Sequence, residues 1–509
     1  MTTTEEDMEL GAALLTTESS STPSTALLVL FGVSATVFGS SACALVHGLR
    51  GLDDDDSSWY RQQLVVIVAV HAASFLVGAL SGALLLPQVR RALKGVSGRA
   101  EGVEHRWDTV KFTLTVVVAF SHIGLVFVKY AWFEVYNVFK EFWLMQTYFF
   151  ISGYLSTPEP TRKRFQAIWR SLVGAYVVNQ TLYFLFLKLM FAYGWKSTRL
   201  DHTTLYGEYY TRSTEKHENF LIEFWHPQGP LWYLPNLVCA RLIAPWWMEL
   251  RRPLFWAVVL QVLILSLKST DFNDGLAFLC INSLFSMCLP FYVLGIISRR
   301  HNRVLNAVFD WPGTWWAAFA SFFTFLGSCY VSIAFQLGKS RWFFGVEEQL
   351  FDDIETYNEP HRVWFNANTG RLTYAFQEVL SNAKNSELHK YLTFAWYLVV
   401  GGNAVRVVMM FSAVRLFSRA TAVVLPLFGH FEIDVTAMGK RSISNYLMHW
   451  YIYLMFQMTF LETNEHYGAW KVILLIALTF FQSMFWMSKP VYNVVRPIFL
   501  APSMDRLLW

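Results

Sequence analysis

Twelve stretches of this chain are apolar enough to be read as bilayer-crossing helices, and that feature constrains everything else. A crossing helix needs about 20 mostly apolar residues. The stretches fall at 25–48, 62–86, 110–131, 141–157, 168–194, 230–249, 253–268, 275–298, 313–337, 391–416, 442–461 and 469–488, the seventh being the shortest. Inside hydrocarbon each backbone N–H and C=O needs an internal partner, so spanning segments are helices or closed barrels. These stretches are too long for barrel strands. The predicted fold class is therefore all-α, a polytopic helical bundle of twelve spans. Composition agrees: 54% of the 509 residues are hydrophobic, 17% aromatic and 15% charged, against about a quarter charged in soluble domains. That excludes a disordered chain, a disulfide scaffold and an ordinary soluble enzyme.

The direction of the spans follows from the basic residues, because Lys and Arg collect on the cytoplasmic side. With the N-terminus inside, the inner loops carry Arg90, Arg91, Lys94, Arg99 and Arg106, then Arg162, Lys163 and Arg164, then Arg251 and Arg252. Further along they carry Arg299, Arg300, Arg303, Arg419, Lys440, Arg441, Lys489, Arg496 and Arg506. The short outer loops carry only Arg50, Arg61 and Lys140, and one contains the acidic run Asp53 to Asp56. Both termini are thus expected in the cytoplasm. Two long loops, 195–229 and 338–390, are expected outside.

Residues 1–24 are acidic and Ser/Thr-rich, without the basic start of a secretory signal, and are expected to form a disordered tail before a retained first span. Residues 25–104 then hold two leading spans and a basic loop, and residues 105–505 a block of ten spans. The net charge of +4 offers no basic face for nucleic acid. The five cysteines sit in apolar runs without metal-ligand spacing, and read as small core residues. Twelve spans also describe many transporters of sugars and organic anions. Those usually carry a long cytoplasmic segment between their halves, and here spans six and seven are joined only by Leu250-Arg251-Arg252.

An ionisable side chain inside a span is costly unless it faces a cavity or a partner, so each is a candidate for function. His122 lies in WDTVKFTLTVVVAFSH, with Asp108 and Lys111 near the start of that segment. Lys111 and His122 are eleven residues apart, close to three helical turns, so they share a face about 16 Å apart along the axis. Asp108 is a candidate N-cap one turn before Lys111. A cation at the rim can hold an anionic carrier head while an imidazole deeper on the same face acts on the carrier's far end. The structural alternative is a histidine bonded to a neighbouring helix and a lysine that snorkels.

His449 follows Ser442-Ile443-Ser444-Asn445-Tyr446-Leu447-Met448, about 12 Å in from Arg441 at the same rim. Tyr446 is one turn before it, on a shared face. Two histidines at matching depth suggest one polar cavity, and simple helix-to-helix bonding is the alternative for His449. His71 has no such pattern and reads as structural. Arg170, Arg241 and Arg406, with Lys111, lie in the inner halves of spans and are candidates to hold a phosphorylated ligand. Snorkelling is the alternative, strongest for Arg170 near the interface. The aromatic stretch Trp225 to Leu234, with Trp232 in it, marks the outer mouth of span six. The outer-loop histidines His202, His217 and His226 read as solvated.

At these residues the chain resembles the acyltransferase 3 family of polytopic membrane O-acyltransferases, over about residues 105–505. Four patterns carry the resemblance: Lys111, ten residues, then His122; FFISGY at Phe149–Tyr154; LWYL at Leu231–Leu234; and GKRSISNYLMH at Gly439–His449. The family's pair of arginines three apart, at the start of its third span, is incomplete: Arg170 fits one position and Ala167 occupies the other. The resemblance implies transfer of an acyl group, often acetyl, from cytoplasmic acyl-CoA to an acceptor hydroxyl at the outer face, often on a carbohydrate or a lipid-linked group. Acyl-CoA would be a co-substrate, with no bound cofactor or metal.

By that resemblance His122 is the expected catalytic histidine, acting as general base with Asp108 and with Lys111 where the family more often has Arg. Ser152, Gly153, Tyr154, Arg170, Arg241, Arg406, Trp232, Tyr446 and His449 are the expected donor and acceptor contacts. The runner-up reading is a secondary transporter of an organic anion or sugar. A non-catalytic membrane scaffold and the membrane-bound O-acyltransferases are further alternatives.

Overall fold

The structure is a computed structural model describing residues 23–50, 57–94, 103–124, 136, 139–192, 227, 229–266, 284–337, 388–418, 422–425, 431–460 and 469–497. Each of the twelve apolar stretches contains a described helix. In chain order these are α1 (Thr25–Arg50), α2 (Ser57–Lys94), α3 (Val103–Gly124), α4 (Leu144–Tyr154) and α5 (Arg162–Ile168), which runs through a π-helical turn into α6 (Gly174–Ala192). A 3-10 turn at Gly229–Trp232 leads into α7 (Tyr233–Trp247), followed by α8 (Pro253–Ser266) and α9 (Leu289–Arg300), which a π-helical turn at Leu284–Cys288 precedes. Then come a short α10 (Asn302–Asp310), α11 (Pro312–Leu337) and α12 (Leu388–Phe417). The chain closes with α13 (Val435–Gly439), α14 (Ser442–Phe460), α15 (Ala469–Met487) and α16 (Lys489–Val495).

One element departs from the all-helical expectation. Between α12 and α13 the chain forms a two-stranded antiparallel ribbon, β1 (Ala422–Leu425) with β2 (Phe431–Asp434), in the register Ala422↔Asp434 to Leu425↔Phe431. Both strands are too short to register as apolar stretches. The ribbon hands the chain directly to α13, where the Asp434 carboxylate accepts from the Ala437 N–H at 2.8 Å and caps the helix.

By length and hydropathy, two of the described helices are long and apolar enough to cross a membrane, through Val68–Gln88 and Val399–Phe417. A third qualifies if Val472–Met487 and Lys489–Val495, bent by 66°, count as one span. Their settings differ. Of the first window 17% is buried, so α2 lies at the rim; of the second 61% is buried, so α12 lies inside the bundle.

Lipid tails are as apolar as the side chains, so helices in a bilayer associate through close packing and hydrogen bonds between helices. The packing here shows how. Gly153 of α4 and Gly295 of α9 let two backbones meet: a Cβ at Gly153 would strike the Tyr292 carbonyl, and one at Gly295 would strike the Phe150 carbonyl. Gly439 does the same on the backbone of Asp108, seating α13 on α3. Helix α3 also packs on α14 and α15, and so lies among the helices that close the chain. The leading pair is not detached, because α1 packs on α11 and α12 as well as on α2.

Near the start of α3, Arg106 pairs with Asp310 at 2.6 Å, and buried Arg415 donates from Nε to the Thr314 hydroxyl at 2.8 Å. Trp107 is buried against Tyr154, with ring centroids 4.5 Å apart. Lys140, counted as an outer-loop cation in the sequence, is instead buried and stands 3.9 Å from Glu141.

Gly153→Leu would force side-chain atoms into the backbone of Tyr292, an overpacking that costs about 1–3 kcal/mol or more. The expected result is a lower thermal midpoint and lower yield of the detergent-solubilised chain. Gly327→Ala is the control: nothing lies within 4 Å of its added Cβ. The same measurement should find it neutral or up to about 1 kcal/mol more stable, as expected for Gly to Ala inside a helix.

Candidate active site

The last turn of α3 brings His122 against His449 of α14. Nδ1 of His122 lies 2.7 Å from Nε2 of His449, and the ring planes differ by 4°. The centroids are 5.0 Å apart, which with so short an N···N contact places the rings edge to edge, in plane, rather than face to face. His449 is fully buried, whereas His122 keeps partial access. On its other side His449 Nδ1 lies 3.0 Å from the Asn445 carbonyl one turn earlier. The Trp450 ring stands edge-on to His122 at 5.2 Å. Asn445 ties three helices together: its Nδ2 donates to Ser483 Oγ of α15 at 3.0 Å and reaches the Thr115 carbonyl of α3 at 3.5 Å. The matching depth expected for the two histidines is therefore a direct contact.

Three tyrosines gather beside this pair. Tyr148, Tyr233 and Tyr446 form a triangle with ring centroids 5.8, 6.0 and 5.5 Å apart, and Tyr446 lies 6.2 Å from His449. Each hydroxyl is satisfied, as burial demands. Tyr446 donates to the Pro230 carbonyl at 2.6 Å. Thr115 uses its only proton on the Lys111 carbonyl at 2.7 Å, so the 2.5 Å contact with Tyr148 must be a bond donated by the tyrosine. Tyr233 and Ser152 share a bond of 2.8 Å, which joins the FFISGY and LWYL stretches. Ser156 donates to the Ser152 carbonyl at 2.6 Å and accepts from Tyr292 at 3.0 Å.

That hydroxyl chain ends at two arginines. Arg164 donates from Nη2 to the Arg241 carbonyl and from Nη1 to the Glu159 carbonyl at 3.3 Å, and lies close enough to the Tyr292 hydroxyl to act on it electrostatically. Arg241 is half-buried and close enough to act electrostatically on Tyr233 and Tyr292. Its Nε is buried with no hydrogen-bond partner among the described residues. Two guanidinium groups thus share one polar corner in which Arg241 keeps an unspent donor.

The other expected site residues fall differently. Asp108 does not cap a helix: α3 begins at Val103, so Asp108 lies inside it, buried, and its carboxylate pairs with Lys111 Nζ at 2.7 Å. The polar run Glu104-His105-Arg106 simply continues the helix outward. Lys111 therefore already has a counter-ion. Arg170 is exposed on the π-helical turn, and the arginine that reaches the corner from this stretch is Arg164. Arg406 is buried over the Phe142 ring at 5.8 Å, a cation–π contact in the core. Gly153 and Tyr154 make backbone and ring packing contacts. Trp232 is half-buried and gives its carbonyl to Asn236 at 2.6 Å. His71 bonds Ser41 at 2.8 Å and stacks on Phe38 between α1 and α2, a helix-packing role. His202, His217, His226 and the run Asp53–Asp56 lie outside the described residues. Among the described residues no three His, Cys, Asp or Glu side chains converge in a way that could hold a metal ion.

Sequence reasoning missed Arg164, Thr115, Tyr148, Tyr292 and Asn445. Thr115 lies one turn after Lys111, and Asn445 one turn before His449; those spacings were the available signal. Arg164 was read only as a marker of orientation. Tyr148 and Tyr292 look like any aromatic in an apolar run.

The histidine pair and the three buried tyrosines thus lie together inside the bundle, with Arg164 and Arg241 near Tyr292 at its other side. In the comparison with protein families, the acyltransferase 3 model, described as an acyltransferase domain, matches residues 104–487, from the first turn of α3 to the end of α15. This chain belongs to that family, which is membrane-associated. Comparison with curated proteins and with solved structures finds no match.

Tyr233→Phe and Ser152→Ala each remove one buried hydrogen bond and should each cost about 1 kcal/mol. Because both delete the same bond, the double variant should cost clearly less than the two added together. Thermal unfolding of the four proteins in one detergent measures this.

Proposed function

We propose that this protein is a multi-pass membrane O-acyltransferase of twelve spans with both termini in the cytoplasm. It moves an acyl group, acetyl being the simplest, from cytoplasmic acyl-CoA to a hydroxyl of a carbohydrate or lipid-linked acceptor. The observation that carries this reading is the imidazole of His122, partly accessible and held edge to edge against buried His449 beside the tyrosine triangle. The diphosphate and 3′-phosphate of CoA are polyanions, and guanidinium groups bind phosphate through paired donors. Arg164 and Arg241 suit that end of the donor better than Lys111, whose charge Asp108 already compensates. The extended pantetheine arm then lies along the column of tyrosines with the thioester toward His122.

In the reaction the acceptor hydroxyl gives its proton to His122 as its oxygen attacks the thioester carbonyl. The new C–O bond forms, the C–S bond breaks, and the departing sulfur takes the proton back from His122. The products are an ester and free CoA. General-base catalysis of this kind contributes about 10²–10⁴ in rate.

Membranes containing the chain, supplied with labelled acetyl-CoA, should transfer label to a glycan or lipid fraction. His122→Ala should lower that transfer by at least about 10² at equal expression. Full activity in this variant would refute the assignment. Uptake of a sugar or organic anion without acyl-CoA consumption would favour a transporter instead. Arg164→Gln and Arg241→Gln should each raise KM for acetyl-CoA about tenfold, the loss of roughly one charge-assisted bond, with kcat changed much less. Steady-state kinetics on the same membranes checks this.

A further inference from the structure

The histidine pair carries an order of protons that neither residue has alone. A carbonyl oxygen only accepts, so the Nδ1 of His449 facing the Asn445 carbonyl at 3.0 Å must carry hydrogen. A neutral His449 then presents a lone pair on Nε2. That lone pair meets His122 Nδ1 at 2.7 Å, so His122 must donate there. The remaining nitrogen of His122, Nε2, is left unprotonated. Among the described residues it has no hydrogen-bond partner, and His122 keeps partial access.

We infer that His449 is a positioning residue that sets the tautomer and ring plane of His122, leaving the Nε2 lone pair as the proton acceptor. The inference rests on the reading of His122 as general base. In a histidine–carboxylate pair an aspartate performs this task, holding the tautomer and steadying the imidazolium that forms. Here no carboxylate touches either ring among the described residues. The Asn445 carbonyl and the His449 ring form a neutral relay in its place. As the acceptor proton arrives on Nε2 of His122, the Nδ1–H bond to His449 strengthens, because its donor has become charged. The proton leaves again from Nε2 to the departing sulfur, so His449 gains and loses none.

The relay makes chemical demands that packing does not. His449→Gln keeps an acceptor oxygen for His122 Nδ1–H, whereas His449→Leu keeps bulk and loses the acceptor. Both variants are compared with the wild-type full chain in membranes, using labelled acetyl-CoA. His449→Leu should lower kcat about 10²-fold with KM for acetyl-CoA within about twofold, a tautomer error costing up to ~10⁴ where a carboxylate does the orienting. His449→Gln should retain at least about ten times the activity of His449→Leu. Equal activities, or a better enzyme with Leu, would overturn the proposal, because a purely space-filling role predicts that order.

A second measurement does not depend on turnover. Histidine ¹⁵N spectra of the full chain in lipid nanodiscs, with the His122 signal assigned by its loss in His122→Ala, should show Nδ1 protonated and Nε2 unprotonated. His122 found with hydrogen on Nε2 would overturn the relay even in an active acyltransferase. The expected tautomer in a chain that transfers no acyl group would instead sink the catalytic reading and leave the tautomer assignment standing. Were His449→Leu not to fold, the wild-type spectrum and the His449→Gln kinetics would still decide.

Discussion

The contact between the His122 and His449 rings joins residues 327 positions apart, and much of the bundle is arranged around it. The two helices that carry them are fixed to each other at two points ahead of that contact. At the first, Gly439 allows the chain entering α14 to lie on the backbone of Asp108. Farther along, Asn445 reaches across to the Thr115 carbonyl and to Ser483. One to two turns beyond these points the distance from α3 to α14 has little freedom, and a 2.7 Å in-plane contact between rings requires that. A misplacement of an ångström would break a bond whose strength depends on alignment.

The same economy governs the polar interior. A buried hydroxyl without a partner is expensive where water is absent, yet Tyr148, Tyr233, Tyr292 and Tyr446 are all buried around the site. Each is tied to a neighbouring element: Tyr148 to α3, Tyr233 to α4, Tyr292 to Ser156 beyond the end of α4, and Tyr446 to the turn before α7. The bonds that satisfy the tyrosines also stitch the helices together, so the lining of the site and the cohesion of the fold are one set of contacts. Charge is handled with similar restraint. Lys111 has its counter-ion in Asp108, whereas Arg164 donates to the backbone carbonyl of Arg241 and lies within electrostatic reach of its side chain. In a medium of low dielectric, like charges held together favour an anion between them. That asymmetry moves the expected phosphate end of a donor from the lysine toward the arginines.

Much of the helical scaffold was legible in the sequence because one physical demand, satisfying the backbone without water, leaves few choices. Twelve apolar runs each contain a described helix, and the pairing of Lys111 with His122 on one face followed from 3.6 residues per turn. The β-ribbon was not legible: four residues per strand leave no periodic signal, and its pairing is a contact between segments. Asp108 looks like a cap in the sequence because the helix start at Val103 lies among polar residues that propensity does not separate. Arg170 and Arg164 are both visible in the sequence, but which one reaches the corner depends on how the start of α5 lies against α7, a contact between segments.

The sequence by itself determined the class of the chain and its family, since hydropathy and four short ordered patterns are properties of neighbours along the chain. It also singled out His122 and His449. Only the tertiary structure decided that these two share a hydrogen bond, that Lys111 is already paired, and that Arg164 belongs with Arg241. Those facts depend on how helices rotate and approach, which is set by contacts between residues hundreds of positions apart and by glycines whose missing side chains matter only once another backbone is beside them.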